Sequence, residues 1–415
     1  NYSTATAQNT SCIRIAVNGT NANSANNISI LNCEFIGNVR AGNNNLITGT
    51  GLAANLSYGI FVGGGVNGIQ NVDPVPSLTN LPGALDSVAP SGAQIQNMYI
   101  AQNGFISMGR AIVFNGGATS VGTGLNITSN NIGNPGAPGA WPHNGITNTV
   151  YAAGIQVAGT EDVSITGNSI DNVFSHLNTF ISGISLGTNI GGGNINIEGN
   201  TITTLASNYQ TNSANASAIG IGVASAENDY TITNNTITGL TARSANTAGF
   251  APTGIVVAAT GGAASIYNNN ISGVRNENTT TGYAAYGINI AAGNNQIIYN
   301  NFVSNVLSSG IGTNVVARWV AGIHIAAGGG HLIAHNSVNL YGSISGGGSD
   351  YQIASVLIGN SASNNMIIKN NILSNTVVNS GSPTNHTYSS ISIPFSAATL
   401  AGMNLDLNNN AYYST

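Results

Sequence analysis

One short phrase recurs seven times at intervals of 32 to 35 residues, and that repeat constrains this chain more than any other feature. It reads VSITGNSIDNV from Val163, INIEGNTITTL from Ile195, YTITNNTITGL from Tyr230 and ASIYNNNISGV from Ala264. Degenerate copies follow as QIIYNNFVSNV from Gln296, HLIAHNSVNLY from His331 and NMIIKNNILSNT from Asn365. Self-similarity of this period over most of a 415-residue chain overrides the usual expectation of two or three globular domains. Alignment puts Asn168, Asn200, Asn235, Asn269, Asn301, Asn336 and Asn371 in one column, and Asn103 and Asn130 extend it toward the N-terminus.

A second unit alternates with the first: GIFV from Gly59, GIQV from Gly154, GISL from Gly183, GIGV from Gly220, GIVV from Gly254, GINI from Gly287 and GIHI from Gly322. Both units show the period-2 alternation of short strands, with Ile155 and Val157 on one face and Gln156 on the other. In the first unit Ile165 and Ile170 point inward on either side of Asn168, so each repeat holds three strands. Such strands are too short to pair stably alone. Stacked coil on coil they make three parallel sheets rising about 4.8 Å per repeat.

The expected architecture is therefore all-β, a single right-handed parallel β-helix over residues 1–415 with about eleven coils and an asparagine ladder at one corner. A proline-rich insertion at residues 63–93 is expected to form a protruding lobe. The irregular stretches from Ala206 and Arg243 are expected to line one loop-bearing flank. Turning between strands without a spare residue calls for left-handed backbone, which asparagine tolerates, and its amide can bond the equivalent amide one coil away. The column is read as scaffold, with each ladder asparagine itself taking the left-handed turn.

Composition excludes several functions. Charged residues are 5% of the chain against roughly 25% in ordinary soluble proteins. Seven scattered Lys and Arg with a formal charge of -5 offer no nucleic-acid surface. No stretch approaches the roughly 18 apolar residues of a membrane span. The two cysteines, Cys12 and Cys33, cannot build a disulfide framework, but they fall where a flattened coil brings its faces together, so a bridge between them is expected as an option.

The ITxNNxI and GIxV units resemble the right-handed parallel β-helix repeats of the pectin-lyase-like superfamily, along nearly the whole chain. The closing NNMIIKNNILSNT and LDLNNNAYYST are similar to stretches of large secreted bacterial surface proteins that carry such a helix. The resemblance implies a fold that hosts lyases, hydrolases and adhesins alike. Enzymes of the superfamily use clustered carboxylates, some with calcium. The best cluster here is Glu161 and Asp162 with Glu227 and Asp229, two coils apart and so separated by roughly 10 Å. That is near the upper limit for an inverting acid–base pair, roughly 6.5–9.5 Å, and ordinary turn carboxylates explain it as well.

Other features carry structural readings. His324 faces outward, His331 falls in the inward column of Val163 and His335 in the corner column of Gly167, a divergent set for a metal. Tyr267 and Tyr299 stack on one outer face, where they could bind sugar rings or simply stabilise a sheet. With a complete scaffold and no evident reaction centre, the expected function is a secreted structural or adhesive protein of a bacterial surface or extracellular filament, without a cofactor. The alternative is a carbohydrate-active enzyme, lyase or hydrolase, using the four carboxylates, with Ca2+ as an option. Neither end shows a capping helix, so further domains of the same chain or neighbouring subunits are the expected partners, with glycans as another.

Overall fold

The computed structural model describes residues 10–15, 25–37, 57–63, 95–115, 122–133, 150–175, 180–187, 194–207, 217–224, 229–243, 251–258, 261–278, 284–309, 319–344, 352–380 and 387–414. They form a right-handed parallel β-helix of three sheets, each with eleven stacked strands among the described residues when Ala25–Asn26 and Ser29–Leu31 are taken as one rung. One full coil runs through Ile195–Glu198, Thr201–Ser207 and Ala218–Val223 in the first, second and third sheets. The variable stretches after Ala206 and Arg243 lie mostly outside the described residues, as does the 63–93 insertion beyond Gly63.

Alternation decides which side chains enter the core. In the first sheet Ile195 and Ile197 are buried while Asn196 and Glu198 face outward. The second-sheet strand kinks at Thr204, whose φ is 55°, so that Ile202 before the kink and Leu205 after it both point inward. Asn172, Gly239, Gly273 and Asn305 make the same left-handed kink in other coils. In the third sheet Ile221 and Val223 fill the core, and pairing steps over Gly220. A Cβ there would lie 2.5 Å from the Gly254 carbonyl oxygen and 2.7 Å from the Ile237 methyl, so the glycine is required by close approach of the next coil.

The asparagine ladder is continuous, but it does not make the turn. The left-handed residue is the one before each ladder asparagine: Gln102, Ser129, Gly167, Gly199, Asn234, Asn268, Asn300, His335 and Asn370, with φ between 54° and 64°. This corrects the expectation that ladder residues carry that strain. The corner divides the work, the exposed first residue reversing the chain and the buried second one pairing inside the stack. It explains the Asn-Asn doublets at 234–235, 268–269, 300–301 and 370–371.

Each ladder amide is fully used. Asn235 Nδ2 donates to Asn269 Oδ1 in the next coil at 2.9 Å and to the Ile197 carbonyl in the previous coil at 2.9 Å. Its Oδ1 accepts both the backbone N–H and the Nδ2 of Asn200, each at 3.0 Å. The same pattern joins Asn103, Asn130, Asn168, Asn200, Asn235, Asn269, Asn301, Asn336 and Asn371. It then continues to Asn410, which sequence alignment missed. At the other end Cys33 holds the ladder position, its N–H donating to Asn103 Oδ1 at 2.9 Å.

Two further expectations change. Cys12 and Cys33 are free and exposed, so no bridge joins them. Cys12 falls between Ser11 and Ile13, which pair with Tyr58 and Ile60, and so takes the glycine position of the third sheet, whereas Cys33 sits at the ladder corner with its thiol on the Leu31 carbonyl. A helix not expected from the sequence spans Ala397–Met403, with Ser396 accepting from the Thr399 N–H as its cap. It buries Met403 and packs Leu400 on the core, closing part of the last coil.

Candidate functional site

Two of the four carboxylates that suggested catalysis, Asp162 and Asp229, are engaged by backbone. Asp162, Asn194, Asp229 and Ala263 share one register at the start of the first sheet. Asp162 Oδ1 accepts the Asn194 N–H at 3.1 Å, and Asp229 Oδ1 accepts the Ala263 N–H at 3.0 Å. Each acid therefore secures the first residue of the coil below. The two stand two coils apart with Asn194 between them, as the spacing indicated, and Glu161 lies beside Asp162 on the preceding strand position. Glu227 lies outside the described residues. Asp171 does stack on Thr203, which donates to it at 2.7 Å, and Glu198 pairs in register with Thr166 and Thr233.

The three histidines diverge. His331 points into the core, where its Nδ1 accepts the Gln296 N–H at 3.1 Å and its Nε2 donates to the Ala327 carbonyl at 3.1 Å. Burial lowers its pKa, partly offset by hydrogen bonding of the ring to the backbone at Ala327 and Gly328. His335 occupies the exposed left-handed corner position. His324 faces outward from the third sheet as expected, yet it is buried, stacked on Tyr286 at 4.4 Å, and has no hydrogen bond at either nitrogen. Desolvation drives its pKa down to about 3. Among the described residues no three His, Cys, Asp or Glu converge as a metal set.

The outer face of the first two sheets changes character along the rod. Ser164, Asn196, Thr231 and Ser265 form a polar column that continues as Ile297, Leu332 and Ile367. Across the corner, Ser169, Thr201, Thr236 and Asn270 lead to Phe302, Ser337 and Ile372. Ile297 and Ile367 are each 37% exposed, Phe302 46% and Ile372 60%. Beside them the rings of Tyr267 and Tyr299 stack at 4.7 Å and 12°. Burial, then the neighbouring Tyr267, raises the Tyr299 phenol above its ordinary pKa. The tyrosine pair was legible from the sequence; the apolar flank around it lay in the same outward columns and could have been read there.

No family model, curated protein or solved structure matches this chain. No helix among the described residues is long and apolar enough to cross a membrane.

Proposed function

We propose that this chain is a structural or adhesive β-helix of a bacterial cell surface or extracellular filament, exported from the cell and related to the β-helices of the pectin-lyase-like superfamily. The observation that carries the reading is the use of Asp162 and Asp229, whose carboxylates hold backbone N–H groups of the next coil instead of facing each other across a cleft. A scaffold whose corner asparagines pair with one another from coil to coil, and whose downstream half presents exposed Tyr, Ile and Phe side chains, suits contact with neighbours. Those neighbours are other subunits, further domains of the same chain, or glycans laid against Tyr267 and Tyr299.

The test has two arms on the purified protein. In the first, acidic and neutral polysaccharides are incubated with and without calcium and assayed for new reducing ends or unsaturated products. In the second, self-association and glycan binding are followed by sedimentation and by adsorption to immobilised polysaccharide. The proposal expects no products and measurable association that falls on substitution of Ile297 and Ile372. Product formation abolished by Asp162→Ala or Asp229→Ala would replace it with the carbohydrate-active enzyme.

A further inference from the structure

The outer face of the third sheet near the N-terminal end holds a cluster of a different kind, and its reading does not depend on the proposed surface role. Strand Ser57–Gly63 lies between Thr10–Ile15 and Met108–Asn115. This register sets Arg14 against Phe61 and Tyr58 against Arg110. The two rings meet at 5.1 Å and 58°. Arg14 stands 5.7 Å from the Phe61 centroid, and Arg110 stands 6.0 Å from that of Tyr58. Two of the seven cationic side chains in the chain thus bracket one aromatic pair.

Arg110 is the unusual member. It is 3% exposed, and its Nε and Nη1 have no hydrogen-bond partner. Among the described residues the ion pair formed is Arg243 with Glu277, so no carboxylate stands against Arg110. A guanidinium keeps its charge, and one ring face at this distance returns only part of what desolvating it costs. Tyr58, Phe61, Val113 and Ala158 form a small apolar cluster beside it. Arg14, by contrast, is exposed and sits at the solvent edge.

We propose that Arg110, Tyr58, Phe61 and Arg14 form a binding site for a small organic anion, a carboxylate or sulfate carried on a flat or apolar body. The anionic head takes the two free donors of Arg110, whose planar fork suits a two-oxygen group. The body lies along the rings, and Arg14 attracts the ligand from solvent. Two sources of the anion are chemically alike: a free molecule, or a carboxylate of this chain. Asp73 and Asp86 are the acids in the insertion that follows the Tyr58 strand in sequence.

The test is titration of the full chain with benzoate, phenyl sulfate, acetate and inorganic sulfate at constant ionic strength, read by melting temperature and calorimetry. Benzoate and phenyl sulfate are expected to raise the melting temperature, with acetate and sulfate weaker and chloride without effect. Arg110→Met should weaken benzoate at least about tenfold, the loss expected for a charge-assisted hydrogen bond. Arg14→Gln should weaken it less. In anion-free buffer Arg110→Met should melt higher than the parent, because an apolar side chain of similar length replaces an unpaired buried charge. The proposal is overturned if no anion shifts the parent, if Arg110→Met retains the shift, or if that variant melts lower without anion. It is also overturned if Asp73→Asn or Asp86→Asn lowers the melting temperature of the parent but not of Arg110→Met, which would make the anion internal.

Discussion

The coil containing Thr231 and the coil containing Ile297 have the same interior and opposite exteriors. Ile232 and Ile298 are both fully buried, and Asn235 and Asn301 both hold the ladder. Outside, Thr231 and Thr236 in the first coil correspond to Ile297 and Phe302 in the second. Strand alternation separates the two sets cleanly, so the fold is written in one set of alternate residues and the surface in the other. Interior substitutions should therefore act alike in both coils, whereas exterior ones should differ only in what the protein touches.

The largest expected effect tests the shared interior. Replacing Asn235 by Leu removes one amide that serves the coils above and below, taking the acceptor from the Asn200 backbone N–H and a donor from both the Ile197 carbonyl and Asn269 Oδ1. Unsatisfied buried groups cost about 1–3 kcal/mol each, so a loss above about 3 kcal/mol is expected. Asn301→Leu should cost a similar amount. Asn234, which turns the chain at φ 57° and makes only an exposed side-chain hydrogen bond, from Nδ2 to Glu198 Oε1 at 3.4 Å, should behave differently: Asn234→Gly near neutral, and Asn234→Ala costing about 1 kcal/mol. Equal melting temperatures for Asn235→Leu and Asn234→Ala would break the division between turning and pairing residues.

That division also marks the limit of what sequence could provide. The repeat identified the coil, the inward aliphatic columns and nine ladder residues, because each repeats once per coil and periodicity is visible without an atomic picture. It merged two adjacent roles at the corner, since Asn234 and Asn235 are the same residue type doing different work. Asn410 escaped because 39 residues separate it from Asn371, the helix Ala397–Met403 having lengthened that coil. Burial of outward side chains escaped for another reason. His324 lies in an outward column by alternation, and only three-dimensional packing shows that this column is covered. Arg110 was hidden in the same way.

The next effect concerns that covered face against the open one. His324 is held neutral by burial, with a folded pKa of about 3 against 6.5 when unfolded, and His331 shifts in the same direction. The unfolded chain therefore takes up protons first as pH falls. Stability from this source is complete above about pH 6.5 and is lost progressively as pH drops from there toward 3. At pH 5 the loss from His324 alone should be about 2 kcal/mol. His324→Leu, which places at this rung the residue type that Leu357 supplies at the next, should flatten the acid limb of the stability profile. Equal slopes in the parent and His324→Leu would show that the buried imidazole is not the group that resists charging.

The smallest effect lies on the exposed flank. Ile297→Thr with Ile372→Thr should shift stability by no more than about 0.5 kcal/mol each, as for surface positions generally, while lowering association. The tyrosine pair allows a finer test. Stacked aromatic rings are worth about 0.5–1.5 kcal/mol beyond their burial, so Tyr267→Ala, Tyr299→Ala and the double variant should give a coupling in that range from thermal melts. A ladder that serves only the sheet would show this coupling and leave glycan adsorption unchanged in all three variants. A ladder that also receives a sugar ring would lose adsorption most in Tyr299→Ala. Tyr299 is followed in its column by the small Ala334, so its ring has a face with no bulky neighbour, while the facing side of Tyr267 is occupied by Tyr299 itself. Comparable adsorption losses in the two single variants would remove that asymmetry and return the pair to a structural role.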